Sequence, residues 1–204
     1  MKSKAKRMGI LFLTAIIFGA IIFFIFFRDS NSKKVEKPKV IKEIRDFGYV
    51  LRDNETKLYN DLFDKLLDEL NKKEVDEEEY AKLVSELFVA GFYNLDNKIT
   101  KTDIGGVQFV HKEAVENFKE KATDTIYKYV ESNIYNDRNQ ELPIVDSIEV
   151  VNVEKDSFKY LKTTDANAYK VSLVWTYEKD LGYETECNLV LVHENNKLSV
   201  VEMD

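Results

Sequence analysis

Histidine and cysteine, the side chains most often used in nucleophilic, acid–base and metal chemistry at neutral pH, are scarce in this sequence, and their spacing argues against all three. Two histidines occur, His111 and His193, and one cysteine, Cys187. A single cysteine excludes an internal disulfide framework and a thiolate metal cluster. Its neighbours alternate as in a strand, which reads as a small buried hydrophobe. His111 opens a helical stretch and His193 ends a strand beside Asn195-Asn196, so each is expected at a cap or rim. The stretch 96–103 has the outline of a calcium loop, yet Lys98 stands where a third ligand belongs and no glutamate closes it. Gly105-Gly106 lacks the glycine spacing and the preceding strand of a nucleotide loop, and reads as a bend into the next helix. These features predict no catalytic residue, no metal site and no cofactor.

The elements that would position any site divide at Pro143. Beyond it the apolar period is two, through 144–154, 158–161, 168–178, 183–194 and 197–203, which predicts an antiparallel meander. If Asp180-Leu181-Gly182 is a three-residue loop with Gly182 left-handed, Trp175 opposes Cys187, Leu173 opposes Leu189 and Val171 opposes Leu191. Asn195-Asn196 suits a type I′ turn. One face then reads Tyr169, Val171, Leu173, Trp175, Tyr177, Cys187, Leu189, Leu191, with neither acid nor base. The other carries Val174, Val190, Val192 and Val201, a candidate interaction patch on the side away from the helices. A small-ligand or enzymatic site would instead use the cone between helices and sheet, with Tyr177, Tyr183 and His193 at its mouth.

Before Pro143 the period is helical. Leu58, Tyr59, Leu62, Phe63, Leu66, Leu67 and Leu70 mark a helix that follows Asp53 and Asn54 as caps and runs to about 72. A second begins at Asp76, with Glu79 in the capping-box position, and ends near Gly91. A third is predicted over 112–132, with Val115, Phe118, Ala122, Ile126, Tyr129 and Val130 inward.

The first 46 residues are of another kind. Residues 8–27 carry no charge over 20 positions, long enough at 1.5 Å per residue to cross a hydrocarbon layer of about 30 Å. The run ends in Phe26, Phe27 and Arg28 without a small-residue cleavage site, so it reads as a single-pass signal anchor. Residues 1–7 are a short basic tail, expected in the cytoplasm, which places the rest outside. Residues 28–46 alternate charges around Pro38 and read as a solvated tether. Residues 47–204 hold nineteen basic against thirty-three acidic side chains, a net charge of −14 that repels phosphate backbones and argues against nucleic-acid binding.

About three helices followed by a curled antiparallel sheet make an α+β roll. The order of elements, the helix lengths and the Trp175-x-Tyr177 strand resemble the nuclear transport factor 2-like fold. Behind one membrane helix, that fold is similar to the soluble domains of scaffold proteins of bacterial conjugation machines. The resemblance covers about 54–204 and rests on architecture, so no functional residue is carried over. It implies a non-catalytic scaffold or interaction module of a bacterial cell envelope, bound to a protein partner or to its own copy.

Overall fold

Capping side chains fix where the first two helices begin. The computed structural model describes residues 34–204. The expected tail at 1–7 and membrane span at 8–27 lie outside the described residues, among which no helix is long and apolar enough to cross a membrane. Helix α1 spans Lys57–Leu70 and is capped by Thr56, whose hydroxyl accepts from Tyr59 N at 3.2 Å. It buries Tyr59, Leu62, Phe63 and Leu66 at the predicted spacing. Helix α2 spans Glu77–Phe92, and the Asp76 carboxylate accepts from Glu78 N and Glu79 N. The expected reciprocal bond from Glu79 is replaced by a longer-range one. Glu69, 3 % exposed at the end of α1, accepts the Asp76 N–H at 2.9 Å and pairs with Lys72, so one carboxylate ties the two helices.

Helix α2 is buried nearly all round and packs against α1 and the sheet. Its last turn admits a loop at very short range: a Cβ on Gly105 would stand 1.8 Å from the Gly91 carbonyl oxygen. Gly106 turns left-handed, φ 74°, into a 3-10 turn at Val107–Phe109.

The third helix is shorter than its sequence pattern. Helix α3 spans Val115–Asp124 and stops at Thr125, with φ −116° and ψ −106°. Thr123 and Thr125 both turn their hydroxyls onto carbonyls four residues back, a bond that competes with helix propagation. The break shifts the period. Tyr129, predicted inward, is 74 % exposed, while Tyr127 is fully buried, its hydroxyl donating to Phe92 O at 2.7 Å and accepting from Gly105 N at 3.0 Å.

The predicted meander is a four-stranded antiparallel sheet in the order β3-β4-β5-β6: β3 Val145–Tyr160, β4 Thr163–Tyr177, β5 Glu186–Glu194 and β6 Lys197–Met203. The architecture is thus α+β, three helices with a four-stranded antiparallel sheet. The β4–β5 register differs from the expected one by two residues: Leu173 faces Cys187, Val171 faces Leu189 and Tyr169 faces Leu191. The connection is longer than three residues, although Gly182 is left-handed as expected, φ 76°. An even shift keeps every side chain on its face, so the buried set survives the error. At the β5–β6 turn Asn195 alone has positive φ, so the pair does not form the type I′ turn, which needs both.

Two parts of the sequence reading are corrected. The stretch taken as tether contains β1, Val40–Ile44, paired with β2, Tyr49–Arg52, in a separate two-stranded sheet, and Ile44 is buried with Tyr49 and Leu51. Alternating lysines and glutamates mask a half-buried strand when one apolar residue in two points inward. Residues 36–204 form one unit. The valine patch is also divided. Val190 and Val192 are 7 % and 4 % exposed, whereas Val174 is half-buried. The β3–β4 ribbon runs past the end of the β4–β5 ladder and crosses to the far side of β6, where the Tyr160 ring meets His111 at 5.0 Å. The register slips between Val190 and Leu191, so Val200 faces Leu191, Glu202 faces Val190, and Val201 between them faces nothing.

Candidate functional site

The cone expected between helices and sheet is filled. Tyr169, Val171, Leu173, Trp175, Cys187, Leu189 and Leu191 are each at most 5 % exposed and belong to one continuous core with α1 and α2. Trp175 stacks at 4.3 Å on Tyr93, at the end of α2. Burial pushes the Cys187 thiol up to about 12, which leaves it inert at neutral pH. Of the three residues predicted at the mouth, Tyr177 and Tyr183 meet edge to face at 6.3 Å, and the Tyr177 hydroxyl donates to Glu184 O at 2.8 Å. Burial raises the Tyr177 phenol to about 12.

His193 is elsewhere, at the other end of β5. Its Nδ1 lies 2.8 Å from Asp165 Oδ2 and its Nε2 3.5 Å from Glu77 Oε1, while its backbone N–H donates to the same Asp165 oxygen at 2.7 Å. Glu77 also takes Lys155 at 3.4 Å and the Tyr169 hydroxyl at 3.3 Å. Burial acts to raise the Asp165 pKa, but hydrogen bonds from His193 and Asn167 outweigh it and hold the carboxyl below its ordinary range. Both ring nitrogens of His193 thus face carboxylates, Asp165 on one side and Glu77 on the other. The cluster ties the β3–β4 ribbon to α2 and β5.

Two buried ionisable groups escaped sequence reasoning. Lys98 is 4 % exposed, and burial lowers its ammonium pKa against the opposing pull of Glu55 and Asp103. Glu86, half-buried on α2, is pushed by burial up to about 7, with Lys65 and Lys82 opposing and Glu79 adding to the rise. Neither lies on a face that a period-3.6 pattern distinguishes, because what buries them is the approach of a second element.

Open space occurs on the other side of the core. A groove of about 330 Å³ separates α3 from the end of β6, lined by Phe88, Phe92, Phe118, Val200 and Val201, with Lys121 and Glu202 among its polar residues. The unopposed Val201 therefore belongs to this groove and not to the face of Val190 and Val192. Beside it the outer edge of β6 is partly covered: Val110 bridges Val200, and His111 N donates to Val200 O at 2.9 Å. Beyond that bridge the edge is bare. Asp204 exchanges both backbone hydrogen bonds with Asn188, at 2.8 and 3.1 Å, so alternation turns the N–H and C=O of Met203 away from β5. Met203 is 37 % exposed, and its sulfur accepts from the Tyr93 hydroxyl at 3.7 Å.

Fold and groove together describe an α+β domain with a filled core and an apolar cleft along one sheet edge. The chain matches no family model, no curated protein and no solved structure.

Proposed function

We propose that this chain is a membrane-anchored, non-catalytic interaction module, held by residues 8–27 with its domain outside the membrane, that captures an extended peptide segment of a protein partner along β6. The observation that carries the reading is the coincidence of the apolar groove with the free ladder position at Met203. A sheet edge offers a guest strand its hydrogen bonds, and a neighbouring groove takes alternate side chains. Three helices followed by an antiparallel meander also support the likeness to nuclear transport factor 2-like scaffold domains of conjugation machines. Use of the cone by a small ligand or substrate has less support, since core side chains occupy it.

Displayed random peptides selected against the full chain in detergent provide the test. Binders should be extended and rich in β-branched or aromatic residues at alternate positions. Met203→Pro removes an N–H that does not bond within the sheet, so the fold should persist while selected peptides lose about tenfold or more in affinity. Peptides that bind the variant as tightly, or a selection that yields none, would remove the basis for this reading.

A further inference from the structure

The tip of the β3–β4 ribbon combines features that the folded domain does not need. Leu161 has φ 52° in the two-residue turn between Tyr160 and Thr163, a conformation in which the Cβ crowds the following carbonyl and which hairpins give to Asn or Gly. Its side chain is also 63 % exposed. Strain and apolar exposure thus fall on one residue, and strained backbone clusters at functional sites. Lys159 and Lys162 flank it, and neither takes part in an ion pair among the described residues. Residues 157–164 contain no acid, although residues 47–204 as a whole carry a net charge of −14. Of the carboxylates near the tip, Asp165 is held by His193, and Glu113 and Glu194 face Tyr160, whose ring packs on His111.

We propose that this tip, Leu161 between Lys159 and Lys162, docks on a bilayer surface bearing anionic headgroups. The proposal rests on the reading of residues 8–27 as a membrane anchor. An apolar side chain set between two cations suits the headgroup boundary, where the leucine reaches the acyl region and the ammonium groups meet phosphates. Covalent geometry brings that surface within range: the twelve residues 28–39 span at most about 40 Å when extended. From the turn beyond β1 a chain of contacts leads to the tip. The turn after β1 is bonded to the β5–β6 turn through Asn196 Nδ2 and Asp46 O at 2.6 Å, and Glu194 at that turn lies 4.0 Å from the His111 ring on which Tyr160 packs.

The test uses the full chain in lipid nanodiscs with an environment-sensitive fluorophore on Thr163→Cys. Thr163 is exposed, whereas Cys187 is buried, so the label is site-selective. With anionic lipid, nitroxide-bearing lipids should quench the fluorophore. Each lysine near an anionic surface strengthens binding by about fivefold, so the K159E/K162E pair should weaken the quenching by at least about thirtyfold in effective partition. Leu161→Asp should abolish it. Quenching that persists in Leu161→Asp or in purely zwitterionic lipid would show mere proximity and overturn the inference. A spectral shift that follows protein concentration without lipid quenching would assign the tip to a second copy of the chain and overturn it likewise. Failure of the chain to enter nanodiscs would overturn the anchor reading and this one together, whereas entry without quenching would overturn this one alone.

Discussion

Replacing Glu86 by Gln isolates one buried carboxyl whose cost depends on pH. An ordinary glutamate titrates near 4.5, and burial between α1 and α2 pushes Glu86 to about 7. Between those values the folded chain holds a proton that the unfolded chain has released. Stability therefore falls as pH rises from about 4.5 to about 7 and is flat above, because the unfolded state binds fewer protons throughout that window. At 1.36 kcal/mol per pH unit the gap sets a ceiling of about 3 kcal/mol. Residual solvent contact and screening by Lys65 and Lys82 reduce this to about 1–2 kcal/mol. Gln is neutral at every pH, so Glu86→Gln should match the parent near pH 4 and exceed it by that amount at pH 8, a rise in Tm of about 3–6 °C for a domain of this size. Urea titrations at pH 4.5, 6 and 8, followed by the fluorescence of Trp175, the single tryptophan, give the comparison directly. If the two stability curves run parallel across this range, Glu86 is not desolvated as described; a variant less stable at pH 8 would reverse the sign of the argument.

Three further substitutions probe the packing around the site. Gly105→Ala places a methyl carbon 1.8 Å from the Gly91 carbonyl oxygen, so α2 and the loop must separate and stability should drop by about 3 kcal/mol or more in chemical denaturation. Tyr127→Phe leaves the buried Phe92 C=O and the half-buried Gly105 N–H without this partner, and the same measurement should show a loss of about 1–3 kcal/mol. His193→Ala removes the imidazole between Asp165 and Glu77, and amide exchange at 165–168 should quicken while global stability moves by less than about 1 kcal/mol, as befits a partly exposed ion cluster.

The first two helices and the inward sheet face were legible because a local period sets each of them and, for the two helices, a capping side chain marks the start. Asp76 starts α2 as its side chain dictates, and the face from Tyr169 to Leu191 is buried although the register moved by two residues. What escaped depends on contacts between distant segments. Val40–Ile44 becomes a strand only because Tyr49–Arg52 pairs with it. The end of α3 turns on two threonine hydroxyls whose preference for the backbone has no periodic signature. Of the candidate residues, Tyr177 and Tyr183 do come together, but His193 joins Asp165 through the reach of a long ribbon. Val201 enters the groove because of a bulge, and bulges shift register without leaving a mark on alternation.

The place of β6 in the chain has a consequence for how the domain is made. This strand is synthesised after every other element described here, yet the earliest elements close upon it: Leu198 N donates to the Tyr80 hydroxyl, the Tyr49 hydroxyl donates to Leu198 O, and Val200 O accepts from His111 N. A nascent chain that has completed every earlier element therefore still lacks the strand that covers one part of the core. The closing of the domain around Tyr49 and Tyr80 thus waits for the last strand, and a chain interrupted before Lys197 would present these two tyrosines to whatever chaperone or protease stands nearest.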